Sequence, residues 1–479
     1  MCLEKLKMLR EEPSPETRLQ ICDGNEEELH FMSIREKENF RYFRALKKSS
    51  NDDSVPAQSS KSKPLIQRVP FTLSEKKNFK KYFEPRVVAI GPLHHGNRRL
   101  QPAEKAKLKL SVLFTEEHRV AEHVLYKKIK QDIGYLKECY KPEDIEDYDD
   151  EELAWMFFVD GCAVLKAIHY STKSEQEKQK DELNIKVDIL AFAQVDLFML
   201  ENQLPFRVLE LLINSVHDAK DLRESIDVFI DNKIKRTIAE GKKGKPRQDQ
   251  DHTHLLGLLR ERLLAKTNNK NESTKTIIGK LLLSCGPKQQ QCHKTFRSIN
   301  ELKEAGIRVT PSETSSLRDV NFYVGFLGTL KIPRIVVDDS TGSKFMNLVA
   351  YEMCPDFKND FAVTSYLCFL DTLIDTAQDV KELRHAGMLL NYLGSDQEVA
   401  DLFNNITTDL VPDLEMYHDA TDKIREYCDN PWTTCIAKAY YTHFSTPWSF
   451  LGFLGVLMGL LFTAIQAYYS MRKATMGQR

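Results

Sequence analysis

The sequence has almost no net charge. Its 68 lysine and arginine residues are balanced by 70 aspartate and glutamate residues, which leaves a formal charge of −2 over 479 residues. Proteins that bind nucleic acid through its phosphates usually carry a strong basic balance. We therefore predict no nucleic-acid partner. The basic stretch GKKGKPR at 241–247 fits a nuclear signal or an anionic-lipid patch, but an isolated basic loop is usually only a solvated surface.

Paired cysteines are also missing. The ten cysteines are scattered between Cys2 and Cys435, and none belongs to a Cys-x-x-Cys pair. Structural zinc sites use closely spaced ligands, and disulfide scaffolds are short chains that are dense in cysteine. The pattern argues against both classes, and the sequence predicts no metal ligands and no cofactor.

The familiar catalytic motifs are absent as well. The chain has no G-x-x-x-x-G-K-[ST] phosphate loop, no G-x-S-x-G elbow, no H-E-x-x-H pair and no kinase motif set. Their absence removes the recognisable enzyme classes without excluding an enzyme. We predict no catalytic residues, and the sequence favours a protein that is not an enzyme.

The N-terminal segment lacks the apolar run of about 7–15 residues that a cleavable secretory signal needs. Residues 1–64 are polar, include the stretch SSNDDSVPAQSSKSKP, and are predicted to be largely disordered. The folded body is predicted to span residues 65–446.

One long hydrophobic run is present, at the other end of the chain. The segment from Trp448 to Met471 contains no Asp, Glu, Lys, Arg or His. A helix of that length spans about 36 Å, enough to cross a hydrocarbon core of about 30 Å. We predict a transmembrane helix at 447–471, followed by a short basic tail at 472–479. The alternative is a buried core helix, which seldom runs so long without a charge.

Two signals disagree about the orientation of this span. Arg472, Lys473 and Arg479 follow it, whereas Lys438 is the only basic residue among the fifteen that precede Trp448. The positive-inside rule would then place the tail in the cytosol. The missing secretory signal instead favours a tail anchor, because so large a body needs a means of translocation. We predict a single-pass membrane protein and favour a cytosolic body; the sequence identifies no particular membrane.

Three glycines lie on the predicted span. Gly455 and Gly459 form a G-x-x-x-G pair, and Gly452 lies three residues earlier. Small residues at this spacing let two helices approach closely, which predicts a homodimer through the membrane helix; the alternative is that glycines are simply common in such helices.

Sequons at Asn271 and Asn405 can carry glycans only if the body is not cytosolic, so they report its orientation.

The hydrophobic pattern of the body predicts one large, mainly helical unit with a few short strands. The predicted strands are 65–73, 87–90, a region around 322–330, and 335–337. The predicted helices are 103–137, 153–168, 187–213 with a junction at Pro205, 364–390 and 397–410. The helix at 153–168 is interrupted only by Asp160 and Gly161.

A tight loop early in the body is a candidate site. It consists of Gly91, Pro92, His94, His95 and Gly96, and it could present two imidazoles to a metal or a substrate. The alternative is a structural turn whose histidines bond to backbone carbonyls. Zinc needs three or four converging ligands, and the spacing suggests no others, so the sequence favours the turn.

A second candidate is the polar trio Glu201, Asn202 and Gln203, which interrupts an apolar run and precedes Leu204 and Pro205. Buried polar side chains must find hydrogen-bond partners. The trio therefore either holds helices together, which the sequence favours, or lines a pocket.

A third pattern, His252-Thr253-His254, would place two imidazoles on one side of a strand as metal ligands. The apolar stretch LLGLLRERLL follows it directly and instead predicts the start of a helix, with Asp251 as its cap.

Several stretches in one order resemble a known family. They are VPFTL, YFEPRVVAIGPLHHG, DLFMLENQLPFRVLELL, HLLGLLR, ELKEAGI, FMNLVAYE, the long segment beginning SYLCFLDTLIDTAQDV, and the terminal apolar helix. Together they resemble the large plant family named domain of unknown function 247, from about Leu65 to Tyr469. The resemblance implies a plant protein with a mainly helical body and one C-terminal membrane helix. It brings no catalytic residues, and some grass members are linked with pollen–stigma self-incompatibility.

These observations favour a membrane-anchored interaction or recognition protein whose protein partner the sequence does not identify. The alternative is an unrecognised membrane-bound enzyme with a pocket near His94, His95 and Glu201. Shared chemistry would require these side chains to lie within reach of one another.

Overall fold

A computed structural model describes residues 65–75, 78–174, 186–238, 252–265, 298–325, 327–430 and 447–476. The predicted N-terminal region, 1–64, lies outside the described residues. Within the described ranges the chain is mostly helical with a few short strands, so the predicted fold class is confirmed. The helices before the first strand are α1 Phe71–Ser74, α2 Phe79–Phe83, α3 Gln101–Glu117, α4 Glu122–Gln131, α5 Ile133–Lys137, α6 Asp150–Thr172, α7 Val187–Asp196, α8 Phe206–Ile213, α9 Ala219–Lys235, α10 Leu255–Leu263 and α11 Ile299–Glu304.

Five short strands occur among the described residues, and all lie in the second half of the body. They are β1 Ile307–Pro311, β2 Asn321–Val324, β3 Gly328–Ile332, β4 Ile335–Val337 and β5 Leu389–Asn391. β3 lies at the centre of a three-stranded sheet, parallel to β1 and antiparallel to β2. β4 and β5 form a parallel pair. The remaining helices are α12 Thr341–Glu352, α13 Ala362–Leu373, α14 Ala377–His385, α15 Asp396–Thr407, α16 His418–Asp429 and α17 Pro447–Met476.

The longest helix of the body, α6, lies in its core. It begins with a capping box, in which the Asp149 carboxylate accepts the N–H groups of Glu151 and Glu152 at 2.8 Å while Glu152 accepts the N–H of Asp149. Its apolar middle packs against α3, α4, α8 and α9. A Cβ at Gly161 would lie 2.6 Å from a methyl carbon of Leu212, so glycine permits the close approach of α8. The predicted buried helix at 153–168 is confirmed.

Two predicted strands are wrong. Residues 87–90 form no strand, and the N–H groups of Val87, Val88 and Ile90 bond to side chains instead of a neighbouring strand. Within 65–73, only Ile66 makes an isolated bridge, to Tyr140, and Phe71–Ser74 turns into α1. Local alternation of apolar residues predicts an extended chain, but it does not show whether a partner strand is present. The segment predicted around 322–330 is two strands, β2 and β3.

Two predicted long helices are interrupted. The helix expected at 103–137 is divided into α3, α4 and α5, with a break at Arg119, whose φ of 51° is left-handed and incompatible with a continuing helix. The helix expected at 364–390 ends at Leu373. Thr376 then starts α14 with a capping box to Asp379, and the segment ends in strand β5.

The start of α10 also differs from its prediction. Its N-cap is His254, whose Nδ1 accepts the N–H of Gly257 at 3.1 Å, and not Asp251, which lies outside the described residues. An imidazole can replace the usual capping oxygen because its unprotonated nitrogen is an acceptor.

The C-terminal helix α17 differs from the other described α-helices in its exposure, since each of them has at least one buried residue. Its segment Leu451–Tyr469 is long and apolar enough to cross a membrane, and none of it is buried. Helix α6 also passes this length and composition test, but it is mostly buried in the body. The helix α17 continues to Met476, into the segment predicted as the basic tail.

Candidate functional site

The loop Leu197–Pro205, which joins α7 to α8, is the centre of the candidate site, and we call it the hub loop. Asp196, the last residue of α7, precedes it and is fully buried. The Asp196 carboxylate accepts the three consecutive N–H groups of Arg86–Val88 at 2.8–3.1 Å. Three consecutive backbone donors are thereby satisfied, and that of Val88 is buried.

Asn202 of the hub loop continues this arrangement. Its Oδ1 accepts the N–H of Ile90 at 2.8 Å, and its Nδ2 donates to the carbonyls of Val88 and Asp196. The segment 86–90 is therefore held by the side chains of Asp196 and Asn202 and not by a neighbouring strand. This is the physical reason for the absence of the predicted strand at 87–90.

Gly91 lies at the end of the same segment. It has a φ of +72°, and its N–H donates to the buried Asp160 of α6 at 2.8 Å. Lys107 of α3 pairs with Asp160 at 2.6 Å and donates to the carbonyl of Ala89 at 2.8 Å. Burial disfavours the charged amine of Lys107, but the carboxylates of Asp160 and Glu104 outweigh it and raise its pKa.

Gln203 connects the hub loop to α10. Its Nε2 donates to the carbonyls of Leu197 and Met199, which closes the loop, and its Oε1 accepts the N–H of Leu256 at 3.1 Å. Leu204 and Pro205 are buried, and Pro205 immediately precedes α8. The Gln203 amide therefore fixes both the shape of the loop and the position of α10.

The hub loop also contacts α12. The N–H of Leu200 donates to Oδ1 of Asn347 at 2.8 Å, and Nδ2 of Asn347 donates to the carbonyl of Tyr82. At the end of α12, the buried Glu352 accepts from Arg260 at 2.8 Å and from the N–H groups of Val363 and Thr364 at 2.9 Å. These bonds join segments that are far apart in the sequence into one core.

Glu201 and His94 meet at the edge of this core. Oε1 of Glu201 accepts the N–H of Val69 at 2.8 Å, and Oε2 lies 3.3 Å from Nε2 of His94. The two side chains are only 10% and 13% exposed. Nε2 of His94 is buried and makes no hydrogen bond to the described residues. The structure therefore brings together one histidine of the early loop and the carboxylate of the polar trio.

These two side chains lie in a cleft of about 460 Å³, which we call the His94 cleft. Aromatic, charged and small polar side chains surround it. The described residues that line it are Arg68, Val69, Ser74, Phe79, Phe83, Glu84, His94, Asn97, Arg99 and Glu201. Both arginines are already paired: Arg68 Nε lies 3.1 Å from Asp144, and Arg99 donates to the carbonyl of Pro85 at 3.0 Å.

The remaining residues of the early loop lie outside the cleft lining. His95 is exposed, and its ring lies 6.1 Å from that of Tyr148 in an edge-on arrangement. Pro92 is buried, and its carbonyl accepts from Tyr148 at 3.2 Å. Gly96 has a φ of +79° at an exposed position. The two neighbouring histidines therefore have different environments.

No group of three or more His, Cys, Asp or Glu side chains converges as metal ligands within the ranges that the structure describes. The two histidines of the H-x-H pattern have separate roles. Nδ1 of His252 lies 3.0 Å from Glu261, whereas His254 caps α10 through Nδ1, and its buried Nε2 has no hydrogen bond to any residue that the structure describes.

Burial lowers the pKa of His254 from its usual value near 6.5 to about 3. Between these pH values the unfolded chain binds a proton that the folded protein does not, so the free energy of unfolding falls as the pH falls. Between pH 7 and pH 5 this titration should lower the free energy of unfolding by about 2 kcal/mol. We predict that His254→Asn, which keeps an acceptor for the helix cap, removes this part of the pH dependence.

Denaturant unfolding of the full-length protein and the variant at both pH values measures this difference. A comparison between pH 7 and pH 8, across which the titration of His254 contributes only about 0.1 kcal/mol, is the control and should give nearly equal responses. An unchanged loss between pH 7 and pH 5 would show that His254 does not account for it.

The structure also describes the three glycines of α17 and one of the two sequons. A Cβ at Gly452, Gly455 or Gly459 would meet no atom within 4 Å, so this side of α17 is open in the chain described. Asn405 is exposed on α15, and Thr407 of its sequon is buried and donates to Asp371 at 2.8 Å. Asn271 lies outside the described residues.

Sequence reasoning missed four important polar residues: Lys107, Asp160 as its partner, Asp196 and Asn347. Asp160 and Asp196 each occur within a strongly apolar helix, and a charge at such a position must have a buried partner. That signal identifies the residue but not the partner, which in both cases lies in a distant segment.

The fold and the hub loop define a mainly helical protein whose separate segments are joined by buried polar side chains. The chain matches the family model described as "DUF247: Plant protein of unknown function" over residues 66–462, and it belongs to this family. The predicted resemblance is thereby confirmed.

Two curated relatives come from Arabidopsis thaliana. The "UPF0481 protein At3g47200" is 28% identical over 404 residues, which cover 81% of this chain and 82% of the relative. The "Putative UPF0481 protein At3g02645" is 27% identical over 175 residues, which cover 36% of this chain and 33% of the relative. No solved structure gives a significant match.

Proposed function

We propose that this plant protein is a membrane-anchored recognition protein, in which α17 holds the helical body at a membrane and the body binds a protein partner. The observation that carries the proposal is the exposure of Leu451–Tyr469, an apolar segment of 19 residues with no buried position. In water, so large an apolar surface would be strongly unfavourable, whereas a bilayer removes it from water. The near-neutral charge and the absence of familiar catalytic motifs also favour binding over chemistry.

Charges placed within this segment test the anchor. Leu457→Lys combined with Leu461→Lys should release the full-length protein from membranes, because each lysine near the bilayer centre costs about 3 kcal/mol on insertion. Ala474→Lys adds a charge beyond the apolar segment and should stay membrane-bound. Alkaline extraction of microsomes measures the bound fraction, and a double variant that resists extraction as the original protein does would overturn the anchor.

The orientation of the body decides where a partner is sought. We propose a cytosolic body, the orientation that the sequence favours. A sequon appended after Arg479 should then acquire a glycan in plant microsomes, whereas Asn271 and Asn405 should stay unmodified. Asn271→Gln and Asn405→Gln identify any glycan on the body. Glycosylation of the body, with an unmodified tail, would show that the body lies on the side of the membrane opposite to the cytosol. The partner would then be sought outside the cytosol.

We further propose that α17 self-associates. Gly452, Gly455 and Gly459 are separated by three and four residues and lie on one side of the helix. Gly455→Ile with Gly459→Ile should weaken the dimer about tenfold, because bulky side chains separate the two backbones. Ala464→Ile, on the opposite side, should have little effect. Energy transfer between labelled chains in lipid vesicles measures the association, and equal losses in both variants would contradict this interface.

The second candidate is a membrane-bound enzyme at the His94 cleft, favoured by the approach of His94 and Glu201. A carboxylate beside an imidazole is typical of a general base held in position. Three features favour ligand binding instead. His95 lies outside the cleft lining, the described lining residues include no cysteine, and the Ser74 hydroxyl donates to the carbonyl of Phe71 at 2.6 Å.

A further inference from the structure

The loop between α15 and α16 exposes large apolar side chains to solvent. It spans residues 408–417, TDLVPDLEMY, and we call it the display loop. Val411 is 78% exposed and Leu414 is 81% exposed. Other apolar residues of the same loop are packed, because Tyr417 is buried and Met416 contacts the core. Val411 and Leu414 therefore remain in water although the loop around them is anchored to the body.

Hydrogen bonds to distant segments hold the display loop in place. The N–H of Asp413 donates to Oγ of Ser365 on α13 at 2.8 Å. The Tyr417 hydroxyl donates to the carbonyl of Leu317 at 2.8 Å. A loop that is already fixed loses little conformational entropy when a partner binds to it, so its exposed side chains are preorganised for contact.

The charges of the display loop are all negative. Asp409, Asp413 and Glu415 are exposed, and the loop contains no lysine, arginine or histidine. None of the three carboxylates forms an ion pair with a residue that the structure describes. The nearest basic residues along the chain, His418 and Lys423, pair with acidic residues of their own helix α16. The loop therefore combines exposed apolar side chains with a negative charge that its own sequence does not neutralise.

These two features determine the chemistry of a surface that can cover the loop. An apolar partner surface removes Val411 and Leu414 from water, and basic side chains beside it attract the three carboxylates. A bilayer surface with anionic headgroups would repel the carboxylates. A second copy of the loop would bring like charges together. A partner segment that carries aliphatic and basic side chains is the occupant that fits.

We propose that the display loop binds a basic, apolar segment of a protein partner. The aliphatic side chains of the partner lie against Val411 and Leu414, and its lysine or arginine side chains lie beside the three carboxylates. This inference rests on the proposed recognition function of the body, and it names the surface and the chemistry of that recognition. It does not depend on the membrane anchor, which the extraction experiment tests separately.

A phage library of short random peptides is the probe, and the full-length protein in nanodiscs of zwitterionic lipid is the target. Empty nanodiscs of the same composition first remove the peptides that bind lipid. We expect the enriched peptides to contain more lysine and arginine than aspartate and glutamate, together with aliphatic residues. A synthetic copy of an enriched peptide should bind with a Kd on the order of 10 µM, measured by fluorescence anisotropy, and added salt should weaken the binding.

Substitutions in the loop locate the binding. Val411→Ser with Leu414→Ser should weaken binding of that peptide at least about tenfold, because it removes the apolar contacts. Both side chains are exposed, so the fold should be retained, which thermal unfolding checks. Val187→Ser with Ile189→Ser is the matched control, since it removes two exposed aliphatic side chains from α7, and it should stay within about twofold of the original protein.

A second variant tests the charge of the loop. Asp409→Asn with Glu415→Gln removes two of the three carboxylates, and asparagine tolerates the left-handed φ of 63° at position 409. Binding should weaken about threefold at low salt, because exposed ion pairs are individually weak. Its dependence on salt should also decrease, because fewer charges remain to be screened.

Three outcomes would overturn the proposal. In the first, no peptide is enriched over empty nanodiscs, which would leave lipid or a second copy as the cover of the loop. In the second, the enriched peptides carry no excess of basic residues. In the third, the loop variant and the α7 variant weaken binding equally or not at all. The peptides would then bind elsewhere on the body, and the recognition function would stand without the display loop.

Discussion

Gly91→Ala is expected to destabilise the protein by about 2–5 kcal/mol, one of the two largest effects predicted for any single substitution in the body. Two causes act together. The φ of +72° at Gly91 is left-handed, which costs a residue with a Cβ about 1–2 kcal/mol. The added Cβ would also lie 2.6 Å from the carbonyl oxygen of Gln203, which the hub loop holds in place. Denaturant unfolding of the full-length protein measures the loss.

Gly96→Ala separates these two causes. Gly96 also has a left-handed φ, +79°, but a Cβ there would meet no atom within 4 Å. The substitution should therefore cost only the backbone term, about 1–2 kcal/mol. If the two variants lose equal stability, the close approach of Gly91 to the hub loop contributes nothing, and our account of that contact is wrong.

Asp196→Ala is expected to cost roughly 3–5 kcal/mol. The carboxylate accepts three consecutive N–H groups, those of the exposed Arg86, the half-buried Val87 and the buried Val88. A buried donor left without a partner costs about 1–3 kcal/mol, and a donor that water can reach costs less. The same substitution should also increase hydrogen exchange at the amides of Arg86–Val88, because these amides lose their acceptor.

Asp188→Ala is the matched control, since Asp188 lies on the same helix α7 but is exposed. It should change the free energy of unfolding by less than about 0.5 kcal/mol and leave the exchange of Arg86–Val88 unaltered. Unchanged exchange in Asp196→Ala would mean that these amides have another acceptor.

The helices and strands that were predicted correctly are those defined by the residues of their own segment. The apolar run at 153–168 is long enough to indicate a buried helix without knowledge of its neighbours, and the structure confirms it as α6. Strand β4 coincides with the predicted segment 335–337. Strand β5 was missed because its three residues, Leu389–Asn391, follow a helical pattern directly and are defined by pairing with β4.

The candidate site was less accessible to sequence reasoning because its contacts are long-range. The polar trio at 201–203 had to find partners if buried, but nothing local indicates that these partners are Val69, Ile90 and Leu256. His94 and His95 are identical in type and adjacent in sequence, and only the fold distinguishes them. Residues 87–90 were predicted as a strand because their pattern is that of a strand, but the acceptors of the N–H groups of Val87, Val88 and Ile90 are the side chains of Asp196 and Asn202.

The hub loop also constrains the order of events during synthesis. Its bonds to Val69 and Ile90 join residues 132 and 112 positions apart, and its bond to Asn347 requires a residue made 147 positions after Leu200. At about 5–20 residues per second, the ribosome needs on the order of ten seconds to supply that last partner. During this interval the N–H of Leu200 lacks the Asn347 side chain that accepts it in the folded protein. A chain interrupted before Asn347 never forms this hydrogen bond. The C-terminal helix α17 is made later still, so the ribosome has already supplied all of these hub-loop partners when α17 emerges.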